Sequence, residues 1–413
     1  MRIDSSHELF PLRGGKKNAM INFTLSKSQQ EARDYAHQVA LEEMRPISLE
    51  CDRTENIPES FFWNMQRRFW AGAAGQARKQ AQAEEEKQNN VFSVLSQEEI
   101  AWGDAALSTA IPGPGLAAPP ILSQGTPEQQ MRFLGPYMDG QLRWGALALT
   151  EPGIGSDVAG MSTTAVQDGD AWILNGHKHY ITNGARADLV VTFATIDKSL
   201  GREGIRPFVV PKGTSGFIVG RIEEKMGLRA SQTAELIFEN CRIPHDNLLS
   251  GRESSKKAGF KAAMGTLDAT RPMVGALAVG IARAAYEAAR EWVCEELPKG
   301  FSLHKRREID DELDEFGQEI EMARFLVWRA AWLADRRMPN SKEASMSKAY
   351  AGELVMKMTA AAVRITAPGE NSARKQFIGK WFRDAKVFDI FEGTAQIQRL
   401  VIARRLFPGV DIP

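Results

Sequence analysis

Apolar residues recur at helical spacing in the first third of the chain, give way to short β-rich runs in the middle, and return to helical spacing up to the end. In the first block, from about Thr24 to Trp144, Ser26-Lys-Ser-Gln29 reads as a helix cap, and the run after it holds neither Gly nor Pro before Pro46. Ile111-Pro-Gly-Pro-Gly115 and Pro119-Pro120 predict loops, and Thr126-Pro-Glu-Gln129 predicts a new helix with Pro at its first position. The stretch from Gln76 to Asn90 is polar and charged, a solvated helix or loop. From Gly145 to about Asn247 the period shortens. Trp172-Ile-Leu174 and Tyr180-Ile-Thr182 flank Asn175-Gly176, which predicts a hairpin turn. Leu189–Ile196, Phe208–Val210, Phe217–Val219 and Leu236–Phe238 predict further strands, enough for a small barrel or two packed sheets. From about Gly259, several helical stretches with short connections predict a bundle; in one of them Phe316, Ile320, Ala323, Val327 and Ala330 form an apolar stripe. The expected fold class is α+β and multidomain: a disordered lead-in over 1–20, an N-terminal α-helical domain over 21–144, a middle β domain over 145–255 and a C-terminal α-helical bundle over 256–413.

A chain of 413 residues agrees with two or three domains. Lys plus Arg equals Asp plus Glu at 52 each, so no basic surface points to nucleic acid or an anionic membrane. Cys51, Cys241 and Cys294 lie far apart, which argues against a disulfide framework or zinc knuckle and favours a reducing, cytoplasmic location. No apolar run reaches the roughly 18 residues of a membrane span. Met1 to Met20 carries Asp4 and Glu8 without an apolar core, unlike a signal peptide, and Met20 is an alternative start.

Three segments carry candidate chemistry. Ala148-Leu-Thr-Glu-Pro-Gly-Ile-Gly-Ser-Asp157 joins the helical block to the first strands. Its Gly153 and Gly155 permit turns whose backbone N–H groups face an acceptor-rich ligand, Thr150 and Ser156 add hydroxyls, and Asp157 can bond its own backbone. In Tyr180-Ile-Thr-Asn-Gly184, strand alternation puts Tyr180 and Thr182 on one face, an aromatic beside a hydroxyl that suits a flat heteroaromatic ring or a packing pair. In Phe391-Glu-Gly-Thr-Ala-Gln-Ile-Gln398, a carboxylate stands between an aromatic and a glycine; desolvation there would raise its pKa toward that of a general base, whereas on a surface it would favour a helix start. His177-Lys-His179 reads as an exposed strand rather than half of a metal site.

Taken together, in this order and at these separations, the three segments resemble the acyl-CoA dehydrogenase family, with Arg383-Asp-Ala-Lys386 preceding the third as it does there; the likeness spans about Ile21 to Phe407. The resemblance implies a helical domain, a middle β-barrel and a helical bundle, an FAD cofactor and an acyl-CoA substrate. By position, Leu147, Leu149, Thr150, Gly155 and Ser156 would line the flavin, and Tyr180, Ile181 and Thr182 its other side, where the family more often has Trp than Tyr. Thr394 and Gln396 would add flavin contacts; Ser156, Asp268, Arg271 and Gly393 would touch the substrate. Glu392 matches the base that takes the alpha proton while the beta hydrogen leaves as hydride to flavin N5, giving a trans-2-enoyl-CoA. Electron-transfer flavoprotein is the implied acceptor. A flavin oxidase or monooxygenase of the same fold, or a non-catalytic subunit, is the alternative.

The sequence departs from the family in three places. An arginine that the family lends to the neighbouring subunit's FAD is missing from Glu295-Glu-Leu-Pro-Lys-Gly-Phe-Ser302, where Lys299 is the nearest substitute. A Gly-Gly-x-Gly loop is replaced by Ala367-Pro-Gly-Glu-Asn371. Both losses favour an α2β2 heteromer with a related subunit over a homo-oligomer. The family's Pro-Glu-x-Tyr-Gly-Gly stretch near the acyl pocket is replaced by Gly75-Gln-Ala-Arg-Lys79, so the chain gives no reading of acyl length.

Overall fold

The computed structural model describes residues 21–71, 89–249, 258–297, 300–369 and 372–410. The expected lead-in over 1–20, most of the polar stretch from 76 to 90, the 75–79 departure, Lys299 and Glu370-Asn371 lie outside the described residues.

The first block is helical: α1 (Lys27–Val39), which passes through a π turn into α2 (Arg45–Thr54), then α3 (Glu59–Ala71), α4 (Asn89–Ala110), α5 (Ala118–Gln124) and α6 (Pro127–Leu134). Ser26 and Thr126 each close a capping box with the glutamine three residues on, as their sequences predict. Pro119 and Pro120 are not in a loop. They occupy the first turn of α5, where proline forfeits an N–H that has no helical partner. Inside α4, Asp104 leaves helical geometry (φ −166°, ψ 119°), and its carboxylate re-caps the second half by accepting from the Leu107 N–H at 2.9 Å.

Seven strands follow: β1 (Gly145–Ala148), β2 (Thr164–Asp168), β3 (Ala171–Thr182), β4 (Leu189–Thr195), β5 (Ile205–Pro211), β6 (Phe217–Ile222) and β7 (Thr233–Pro244). They form one curled sheet in the order β1-β4-β2-β3-β7-β6, with β5 also on β4. Every residue of β4 is buried, because one face packs on Trp172, Phe208 and Phe238 while the other carries Phe193 and Val191 against Ile121 and Phe133 of α5 and α6. The hairpin turn is not at Asn175-Gly176. It falls at Gly169-Asp170 between β2 and β3, and Asn175-Gly176 is a bulge within β3. Gly176 has φ 151° and lies so close to Thr163 that a Cβ would sit 2.5 Å from its hydroxyl, so the glycine serves a close approach and not a turn.

The last block holds α7 (Ala258–Glu295), α8 (Leu303–Asp335), α9 (Ser341–Thr366), α10 (Ala373–Ala385) and α11 (Ala395–Leu406). Ile320, Ala323, Val327 and Ala330 of α8 are buried as their spacing predicts, with Phe316 packed at the margin. Helices α7–α10 and α1–α4 share one apolar core, so the two helical blocks join beside the sheet. A buried network ties the three parts together. Lys380 of α10 contacts Asp104 of α4 at 2.9 Å and bonds Asp384, and Asp384 accepts from the Leu228 N–H of the β6–β7 connection at 2.6 Å. Gly227 beside it touches α10 so closely that a Cβ would lie 2.2 Å from the Arg383 carbonyl oxygen.

Candidate functional site

Between α10 and α11 the chain makes a single 3₁₀ turn (Lys386–Asp389) and then bends through two left-handed residues, Glu392 (φ 56°) and Gly393 (φ 92°). A left-handed glutamate is strained and persists where its surroundings hold it. Gly393 cannot be replaced freely, since a Cβ there would lie 2.5 Å from Gln398 Nε2. Thr394 ends the bend by capping α11, its hydroxyl accepting from the Ile397 N–H at 3.3 Å.

The bend places the Glu392 carboxylate beside α7, where the Thr270 hydroxyl donates to its Oε2 at 2.7 Å. Burial pushes the Glu392 carboxyl above the usual range, against the lowering effects of Thr270 and of the nearby Arg271 and Lys348 charges. Among the described residues nothing accepts a hydrogen bond from the Glu392 backbone N–H. Arg271 is buried and ion-paired with Asp268, whose Oδ1 also takes the Ser341 hydroxyl at 3.2 Å; Arg271 Nε has no partner. Pro272 lies inside α7 and lacks an N–H, which leaves the Asp268 carbonyl without its helical donor. Lys348 of α9 donates to the Gly393 carbonyl at 2.7 Å, and Gln398 to the Glu392 and Gly393 carbonyls at 3.1 and 3.0 Å. Asp268, Arg271, Glu392, Gly393 and Thr394 therefore gather in one place, with Gln396 exposed on the first turn of α11.

The second group sits on the sheet. Leu147 in β1 and Leu149 just beyond it pack against the face that meets the helices. The Thr150 carbonyl accepts from the His179 N–H at 3.0 Å, which sets this loop beside Tyr180. Tyr180 itself has φ 58° at a second bulge in β3, so the bulge and not strict alternation aims Tyr180 and Thr182; the Tyr180 ring is exposed. The Ile181 side chain is buried in the sheet core, which leaves its backbone as the part a ligand could meet. Gly153 and Gly155 do not have positive φ, so the turn does not require glycine, and a Cβ on either would meet no atom. Asp157 does not cap the loop with its side chain. The hydroxyls of Thr150, Ser156 and Thr182 have no hydrogen-bond partner among the described residues. No hydrogen bond or ion pair among those residues joins this group to the Glu392 group.

What orders the loop is Glu151, which the sequence reading passed over. Its buried carboxylate takes the N–H groups of Ser162 and Thr163 at 2.7 and 2.9 Å, the Ser162 hydroxyl, and Lys178 Nζ at 2.8 Å. Burial alone would raise this carboxyl, but the Lys178 charge and these donors bring it down to about 2. Lys178 also reaches the Leu149 carbonyl at 3.1 Å. The strand His177-Lys-His179 is thus not simply exposed: Lys178 is fully buried, and His179 bonds Glu235 at 2.9 Å.

Sequence profiles of the acyl-CoA dehydrogenase N-terminal, middle and C-terminal domains match residues 26–141, 146–241 and 257–407. The short-chain specific acyl-CoA dehydrogenase of Clostridium acetobutylicum is 34% identical over 94% of this chain and 100% of its own length. The mitochondrial short-chain specific acyl-CoA dehydrogenase of Bos taurus is 41% identical over 76% of this chain and 74% of its own. Among solved structures, butyryl-CoA dehydrogenase from Megasphaera elsdenii superposes with a TM-score of 0.82 at 33% identity, covering 94% of this chain and 100% of that one.

Proposed function

The chain belongs to the acyl-CoA dehydrogenase family, and we propose that Glu392 is its catalytic base, taking the proton alpha to the thioester carbonyl of a bound acyl-CoA. The observation that carries this reading is the Glu392 bend. One residue offers a carboxylate of raised basicity and an unclaimed backbone N–H on the same strained turn. The N–H would donate to the thioester oxygen, where charge develops as the alpha C–H bond breaks, and such a donor acts most strongly where water is excluded. Asp268, Arg271, Gly393 and Ser156 would hold the substrate. Arg271 suits a polar ligand atom, because its buried Nε still lacks an acceptor.

The sheet group fits FAD on its own chemistry. Free hydroxyls at Thr150, Ser156 and Thr182 suit an acceptor-rich ring edge, and exposed Tyr180 suits its plane. Leu147, Leu149, Gly155 and the Ile181 backbone would line the ring, with Thr394 and Gln396 approaching from α11. FAD, when bound, accepts the beta hydrogen as hydride. The product is then a trans-2-enoyl-CoA, and electron-transfer flavoprotein is the expected oxidant. An acyl-CoA panel starting at butyryl-CoA, followed by anaerobic flavin bleaching, tests the reading; no bleaching with any thioester would refute it.

A heteromer is supported by charge. Where the family lends an arginine, this chain has Glu291 and Glu295 at the end of α7 and Glu296 just beyond it around Arg374, which lies 3.4 and 2.8 Å from the first two and also bonds the third. Three carboxylates facing one guanidinium would repel a neighbour's pyrophosphate. A related subunit would supply the missing half-site.

A further inference from the structure

Among the described residues, three lysines are buried to 1% exposure or less: Lys178, Lys348 and Lys380. Buried lysines are ordinarily paired with a carboxylate. Lys178 has Glu151 at 2.8 Å and Lys380 has Asp104 at 2.9 Å. Lys348 has no ion pair among the described residues, and its ammonium is given to one backbone oxygen, that of Gly393, at 2.7 Å. Gln398, also fully buried, donates to that same oxygen at 3.0 Å and to the Glu392 carbonyl at 3.1 Å.

We propose that Lys348 is a positioning residue: with Gln398 it grips the carbonyls of the Glu392–Gly393 bend and so aims the base and its backbone N–H at the substrate together. The proposal rests on Glu392 being the base. A glutamate at φ 56° followed by a glycine at φ 92° relaxes unless both peptide planes are held. Because one residue would supply both carboxylate and N–H, a rotation of its backbone misplaces both at once.

The charged groups facing Lys348 are Asp389 from the 3₁₀ turn, Glu392 from the bend and Arg271 from α7, with Asp268 already engaged by Arg271. Its charge opposes the rise that burial imposes on the Glu392 carboxyl. Removing the charge therefore moves the Glu392 titration upward, a result that loss of packing alone does not produce.

The test uses the full-length, FAD-loaded enzyme with Lys348→Met, Lys348→Arg and Glu392→Gln. Butyryl-CoA-driven flavin bleaching is followed from pH 5 to 9, and the Glu392 carboxyl band, assigned by its loss in Glu392→Gln, is titrated by infrared spectroscopy. Lys348→Met is expected to slow bleaching about ten- to a hundredfold and to raise both the acid limb and the carboxyl midpoint by about one pH unit. Lys348→Arg is expected to restore the midpoint. A Lys348→Met enzyme with unchanged bleaching and midpoint overturns the proposal. If Lys348→Met does not fold, Lys348→Arg decides: a wild-type midpoint supports the role and a raised one overturns it. Normal bleaching in Glu392→Gln removes the base reading and this proposal with it, whereas an inert Glu392→Gln beside a normal Lys348→Met removes this proposal alone.

Discussion

Glu151 and Glu392 are chemically the same acid with opposite surroundings. Glu151 receives two backbone N–H groups, a hydroxyl and an ammonium, and its carboxyl falls to about 2; Glu392 receives one hydroxyl, and burial lifts it. The difference predicts different pH behaviour. Because the folded pKa of Glu151 lies below its ordinary 4.5, its contribution to stability is present above that pH and is lost as pH falls toward 2. Glu151→Gln is expected to lower stability by roughly 3 kcal/mol at pH 7, with the gap from wild type closing below pH 4.5 in thermal melts. Thr270→Val removes a donor from the ionised form of Glu392 and should raise the acid limb of activity by about one pH unit, read from a kcat/KM profile. Sequence singled out Glu392 through the glycine after it and the ordered motif around it. Glu151 went unnoticed beside Thr150 because its partner Lys178 is 27 residues away, between two histidines, and nothing local marks that pair.

At the scale of elements, periodicity read the α8 stripe and the two capping boxes correctly, because those patterns are local. It misplaced the β2–β3 turn because Asn-Gly serves equally well in a bulge, and the choice depends on Thr163 lying against Gly176. Lys380 could not be read as a clamp, since its partner Asp104 sits 276 positions earlier on another helix. The clamp has a measurable consequence. Lys380→Met strands two buried carboxylates and should cost about 3–5 kcal/mol, seen as a lower denaturant midpoint. Gly227→Ala has no room against the Arg383 carbonyl and is expected to loosen the β6–β7 connection from α10, with a lower melting temperature and reduced FAD content.

For the whole molecule, one helical core spans both ends of the chain while the sheet keeps cores of its own, one of which meets α5 and α6. The helix–strand–helix order was legible in the sequence; the sharing of one core by the first and last blocks was not, because it depends on contacts hundreds of residues apart. No helix among the described residues is long and apolar enough to cross a membrane. The acidic end of α7 bears on assembly. Purified alone, this subunit is expected to hold well under one FAD per chain, and co-expression with a related subunit should raise that ratio; a homotetramer with four FAD by native mass would end the heteromer reading.

The central claim is that Glu392 takes the alpha proton, and the most direct measurement is anaerobic flavin bleaching by an acyl-CoA in Glu392→Gln. The account predicts bleaching slowed about a thousandfold, with FAD content and thioester binding retained. Bleaching at the wild-type rate would contradict it.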